Sequence, residues 1–482
     1  MKNSLRIFAL LLACVMIFAL AGCKDNDSPS ASSNPISTGE PTDGTSRPGD
    51  SASGTTTSAD AVSSDTTTST NDVGSGTSTS GSSSRSSNTV TTNATALSTQ
   101  SGNSTTSKGG DKVSSTSSSA TTTSGNAGNS TPSKVTYDLK KSMDFVWEGD
   151  TAYQEMVLPL QDKDGKVVMP PLYKADKILK VESATLTTVY KEGKDYVLQS
   201  DGTMLIPDGS AIRSMPYADM YPTASSATCL ETLSGSYESI FYPGVLHAYF
   251  VCVTYTHNDR WTGPAMESKG AVLSNFWSKV HNGEDVTIVF TGDSVTSGGD
   301  VSGLSNLSPY IPPYPTLMGE YLNENYPNSK FTVVNAARGG TVVDWGANTT
   351  KTRVMVHNPD LVVVAFGANP GGFSKTQYKS YTKTIIDKVR TVDPTCDIVL
   401  VAGTVQNQNF KAYNFAPVLE YRDALFELSN DYERVLAVDV RSIQEHVLTR
   451  KRLVDITANN LNHNNDYFCR VYAQILIKAI LE

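Results

Sequence analysis

Val286-Thr287-Ile288-Val289-Phe290-Thr291-Gly292 runs directly into Asp293-Ser294-Val295-Thr296. A run of β-branched and apolar residues reads as a buried strand. It ends in a glycine, an acid and a serine, so it delivers one hydroxyl to the carboxyl end of a sheet, where open α/β sheets hold their ligands. Alone, Gly-Asp-Ser is a common turn sequence. Its meaning depends on the segments further along the chain.

From about residue 266, strand patterns alternate with helical ones. Further strands are predicted at Phe331–Asn335, Leu361–Phe366, Ile398–Ala402 and Val435–Val440, and helices at Lys375–Val392, Val418–Tyr432 and roughly Asp466–Leu481. Five strands alternating with helices predict an α/β domain with a parallel sheet covered on both faces.

Three later segments share the placement of Ser294. Val334-Asn335-Ala336-Ala337-Arg338-Gly339-Gly340-Thr341 follows the second strand, and its glycines let backbone N–H groups approach a ligand. Phe366-Gly367-Ala368-Asn369 ends the third strand and offers an amide donor. Asn460-Leu461-Asn462-His463 precedes the last helix. Each has a plain structural reading: a strand-to-helix turn, a turn-forming Asn before Pro370, and a helix-capping loop.

Together, Ser, Gly, Asn and His in this order resemble the SGNH subset of the GDSL hydrolase superfamily, over about residues 280–482. The resemblance implies a three-layer α/β/α sandwich around a five-stranded parallel sheet. It also implies a serine ester hydrolase, with Ser294 as nucleophile and His463 as general base. Ser294 N–H, Gly340 N–H and the Asn369 amide would form the oxyanion hole. The chemistry is coherent. A serine hydroxyl needs a neighbouring imidazole to take its proton, and fixed donors stabilise the charge that then develops on oxygen. No cofactor and no metal is expected, because the histidines lack metal-ligand spacing.

The chain departs from the family pattern in three places. Asn460 stands where the family usually has Asp, Pro370 where Asp usually follows the Asn, and Asn464 where Pro usually follows the His. The orienting group for His463 is therefore expected to be a backbone carbonyl at Asn460, giving a Ser–His dyad, or else another acid such as Asp455.

Upstream, Lys2 and Arg6 flank an apolar run, Ile7–Leu20, that ends in Leu20-Ala21-Gly22-Cys23. This resembles a bacterial lipoprotein signal peptide (residues 1–22), with Cys23 lipidated and anchoring the protein in the membrane. Residues 23–134 are about half Ser and Thr after the cysteine and contain no aromatic residue. Such a segment cannot offset its ordering entropy by burial. It is read as a disordered tether, spanning on the order of 60 Å on average and about 370 Å fully extended. Residues 135–265 carry short β patterns, at Lys180–Tyr190, Asp195–Leu198 and Tyr249–Tyr255, separated by turn signals. They predict a β-rich sandwich or jelly-roll module ahead of a hydrolase domain at 266–482. Its aromatic residues read as core or as sugar-stacking groups.

The formal charge of −9 and the lack of a basic cluster exclude nucleic acid as an expected partner. Cys229, Cys252, Cys396 and Cys469 lack zinc-site spacing, and a Cys229–Cys252 disulfide and free thiols both remain open. The expected function is a cell-surface serine esterase that removes short acyl groups, chiefly acetyl, from polysaccharide. A lipase or arylesterase of the same superfamily is one alternative. A noncatalytic surface glycan-binding protein with a degenerate hydrolase domain is the other.

Overall fold

The computed structural model describes residues 136–369, 371–413 and 416–482. The signal peptide, Cys23, the tether and Pro370 lie outside the described residues.

The first described strands are β1 (Thr151–Val157), β2 (Val167–Met169), β3 (Lys177–Ser183), β4 (Val189–Tyr190), β5 (Val197–Leu198), β6 (Met204–Ile206), β7 (Cys229–Glu231), β8 (Tyr237–Ser239) and β9 (Val251–Thr256). They form a four-stranded sheet β1-β9-β3-β4, a three-stranded sheet β2-β6-β5 and the hairpin β7-β8. The expected run Lys180–Tyr190 is broken: it divides into β3 and β4 at a turn in which Leu186 has φ +57. Cys229 and Cys252 are both buried free thiols, in strands of different sheets.

The remaining strands are β10 (Val286–Gly292), β11 (Phe331–Asn335), β12 (Leu361–Ala365), β13 (Asp397–Ala402) and β14 (Val435–Asp439). They form one sheet in the order β11-β10-β12-β13-β14, and every pairing is parallel. Strands buried on both faces need apolar residues at every position rather than at alternate ones. β12 (Leu-Val-Val-Val-Ala) and β13 (Asp-Ile-Val-Leu-Val-Ala) are buried throughout. Their side chains divide by the two-residue period of a strand. Ile288, Phe290, Val363, Val399 and Val401 join one apolar cluster. Val289, Val362, Val364, Ile398 and Leu400 join the other. The two covered faces make the three-layer α/β/α arrangement.

Lys375–Val392 is a helix started by a capping box between Ser374 and Gln377. The expected Val418–Tyr432 helix is shorter, Tyr421–Asp431, after a 3-10 turn. Asp466–Ile480 is almost wholly buried, because it lies between the parallel sheet and the β-rich segment. Arg470 Nη2 donates to the Gln154 carbonyl at 2.6 Å, and Gln474 Nε2 donates to the Ser142 carbonyl at 2.9 Å. The apolar core of residues 143–256 therefore runs without a break into one face of the parallel sheet.

Candidate active site

The order β11-β10-β12 reverses direction at β10, and the crevice at the carboxyl ends of β10 and β12 is the topological switch point where such sheets bind ligands. Asp293 follows β10 and is buried. Its Oδ1 accepts Val295 N–H at 3.1 Å, capping the one-turn helix Ser294–Ser297. Its Oδ2 accepts N–H bonds from Gly367 at 3.1 Å and Ala368 at 2.8 Å. Burial pushes its carboxyl up to about 6, against the pull of these N–H groups. One carboxylate thus ties the end of β10 to the end of β12, fixing Ser294 against the Asn369 segment.

Ser294 is the first residue of its helix, so its N–H has no intrahelical partner. Gly339 lies against it: a Cβ on Gly339 would stand 3.7 Å from Ser294 Cβ. Gly340 has φ +75 with open space beside it, a conformation that favours glycine. Asn369 Nδ2 donates one hydrogen to the Thr341 carbonyl at 2.8 Å and keeps a second. Ser294, Gly340 and Asn369 thus meet at one crevice.

His463 sits in a loop closed by the bridge Thr457↔Asn464. The Asn459 Oδ1 accepts N–H bonds from Leu461, Asn462 and His463 at 2.9, 3.0 and 3.2 Å. This curls the loop and fixes the imidazole. Its Nε2 lies 2.9 Å from Ser294 Oγ. Its Nδ1 lies 2.7 Å from Asp300 Oδ2. A carboxylate only accepts, so Nδ1 carries the hydrogen and Nε2 is free to accept the serine proton.

The acid beside His463 is therefore Asp300, and neither expected orienting group serves. Asn460 has φ +56 and turns its side chain away, donating from Nδ2 to the Ser239 carbonyl at 3.0 Å. Its backbone carbonyl accepts from Asn407 Nδ2 at 3.1 Å. Asp455 is fully buried and bound elsewhere. It accepts Leu158 N–H at 2.9 Å and two guanidinium bonds from Arg452 at 2.7 and 2.9 Å. Burial raises its pKa, but the Arg452 guanidinium and these bonds outweigh burial and hold the carboxyl below its usual range.

Asp300 escaped the sequence because it lies only six residues after Ser294, where no pattern marks an acid. The available signal was Gly298-Gly299-Asp300. Gly298 ends the short helix at φ +90 and Asp300 follows at φ +67, so the chain reverses and brings the acid back toward the serine. Gly299 is part of this device. A Cβ there would stand 2.9 Å from His463 Nδ1 and Cε1. Gly299→Ala is therefore expected to displace the imidazole and lower kcat by about 100-fold with little change in KM, as steady-state kinetics would show. A rate within a factor of about three of wild type would remove this account.

The β-rich segment reaches the rim. Phe241 N–H donates to the Asn459 carbonyl at 3.1 Å, and Leu233 N–H donates to the Asn409 carbonyl at 2.7 Å.

Residues 290–465 match the model of the GDSL-like Lipase/Acylhydrolase family. Among solved structures, a two-domain esterase active on acetylated mannans, co-crystallized with mannopentaose, is 23% identical with a TM-score of 0.36. That match covers 43% of this chain and 53%, about half, of the esterase. An acetyl xylan esterase is 19% identical, covering 40% of this chain and 98% of its own, with a TM-score of 0.32. A lipase/acylhydrolase from Enterococcus faecalis is 15% identical, covering 40% and 93%, with a TM-score of 0.32. No curated protein matches the chain.

Proposed function

We propose, from the premise that residues 290–465 form a GDSL-like lipase/acylhydrolase domain and hence a carboxylic ester hydrolase, that the protein removes short acyl groups, chiefly acetyl, from polysaccharide. The observation that carries the catalytic reading is the imidazole of His463 held between Ser294 Oγ and the Asp300 carboxylate. His463 Nε2 takes the hydroxyl proton as Ser294 Oγ attacks the ester carbonyl. Asp300 stabilises the imidazolium that forms. Ser294 N–H, Gly340 N–H and the free hydrogen of Asn369 Nδ2 receive the developing oxyanion. His463 then protonates the leaving alcohol, and water repeats the sequence on the acyl-enzyme.

The substrate class rests on the rim. Arg338, Gly339 and Gly340 are exposed, Thr341 and Asn462 are partly so, and none offers an apolar wall for a long acyl chain. Polar side chains suit the hydroxyl-rich surroundings of a sugar ester. The intact Ser–His–Asp contact argues against a degenerate, purely glycan-binding scaffold. The lipobox-like Leu20–Cys23 and the Ser/Thr-rich tether support placement at a bacterial cell surface. Cys23→Ser is expected to move the protein from the membrane to the soluble fraction.

The test uses the full chain on p-nitrophenyl acetate, butyrate and octanoate, and measures acetate released from acetylated polysaccharide. The reading expects the highest kcat/KM for acetate esters, and acetate release. Preference for octanoate would favour a lipase, and no turnover with retained glycan binding would favour the binding protein.

A further inference from the structure

Asp300 sits in the left-handed region at φ +67. A residue other than glycine stays there only where its surroundings over-determine it. The restraint lies at Ser302, two residues on. Its N–H donates to Asp466 Oδ1 at 2.8 Å. Its Oγ accepts Ile311 N–H at 2.8 Å, and its carbonyl accepts Leu307 N–H at 2.8 Å. Asp466 is the first residue of the helix Asp466–Ile480, three residues after His463. The same chain end that presents the imidazole thus grips the backbone beside the acid. Asp466 is 6% exposed, and its Oδ2 has no hydrogen-bond partner among the described residues. An acid serving only helix stability has no need of burial, since that role is met at the surface. Burial in turn pushes its carboxyl above the usual range, against the opposing pull of His247, the Ser302 bonds and Arg470.

We propose that Asp466 is a positioning residue: through Ser302 it holds the Asp300 carboxylate at His463. The inference rests on the esterase reading for its kinetics but not for its geometry. In the full chain, Asp466→Ala is expected to lower kcat for p-nitrophenyl acetate by roughly 10- to 100-fold with KM little changed. Asp466→Asn keeps an oxygen that accepts the Ser302 N–H, and recovers most of that loss. In an Asp300→Asn background, Asp466→Ala lowers the rate no further, because the group it positions is already gone. Ser302→Ala removes the Oγ, with its bond to Ile311 N–H and its interaction with Asp466, but keeps the backbone N–H bond to Asp466, and follows the same pattern with a smaller loss. It carries the test if Asp466→Ala fails to fold.

The downfield Nδ1 proton resonance of His463 reports its bond to Asp300 whether or not any ester turns over. It is expected to vanish in Asp466→Ala and persist in Asp466→Asn. Equal kinetic losses in the wild-type and Asp300→Asn backgrounds, or a resonance that Asp466→Ala leaves in place, would overturn the proposal. A chain that turns over no ester would fail the esterase reading alone, and the resonance would still decide the latch.

Discussion

Ser294→Ala and His463→Ala are each expected to lower kcat for ester hydrolysis by about 10⁶-fold, and the double variant to be no slower than either single one. The reason is that the two side chains act as one unit. The hydroxyl becomes a nucleophile only while its proton moves to His463 Nε2, 2.9 Å away, so losing either partner ends the same step. What remains, roughly 10³- to 10⁴-fold over water, belongs to the oxyanion donors and to binding. Among the described residues Ser294 Oγ accepts no backbone hydrogen bond that its removal would orphan, so the melting temperature should change little. Single-turnover rates with a fluorogenic acetate ester, measured beside thermal unfolding, check both parts. Losses that multiply in the double variant would mean that the two residues act in separate steps.

The parallel sheet was legible because its strands are apolar or β-branched at nearly every position, and β10, β11 and β14 end in Gly292, Asn335 and Asp439. The shared placement of Ser294, Gly340, Asn369 and His463 was legible on similar grounds: each follows the carboxyl end of a strand or sits in the loop before the last helix. The acid was not. Reading it by family position pointed to residue 460, but Asn460 is committed to the β-rich segment through the Ser239 carbonyl. Asp300 reaches the histidine only through two consecutive backbone reversals, and local composition carries no trace of where they aim. Asp455 misled for a related reason. A buried acid near the histidine in sequence is a good candidate until its partner is known, and its partner is Arg452. Among the β patterns, Lys180–Tyr190 read as continuous because nothing in Ala184-Thr185-Leu186-Thr187 resembles a standard turn sequence. Tertiary contacts impose the turn there: the Thr185 carbonyl accepts Ser308 Oγ at 2.9 Å, on the loop that comes after Asp300.

Asp300→Asn should separate the two acids. Losing its charge is expected to cost about 10⁴-fold in kcat. An amide cannot stabilise the imidazolium, and if its NH₂ faces Nδ1 it forces the hydrogen onto Nε2, the nitrogen that must accept from serine. Asp455→Asn should do the reverse. It leaves the imidazole's partners in place but removes the charge that satisfies Arg452 and leaves one acceptor oxygen where Leu158 N–H and the Arg452 guanidinium now share two. Breaking a buried pair costs about 3–5 kcal/mol, and the low end applies because Arg452 is still partly in solvent, with 32% of its side chain exposed. The depressed carboxyl sets the sign with pH. Its stabilisation is present above the ordinary value of 3.8 and is lost as pH falls through the lower folded value. The stability gap between wild type and Asp455→Asn should therefore be wide at neutral pH and close only in strong acid. Asn460→Asp, restoring the family's acid, should not rescue Asp300→Asn, because residue 460 faces the Ser239 carbonyl and a carboxylate there meets another acceptor. Denaturant melts and kcat for all three variants decide the matter. A catalytic collapse in Asp455→Asn with normal stability, or recovery of rate in the 300/460 double variant, would return the orienting role to the loop before His463.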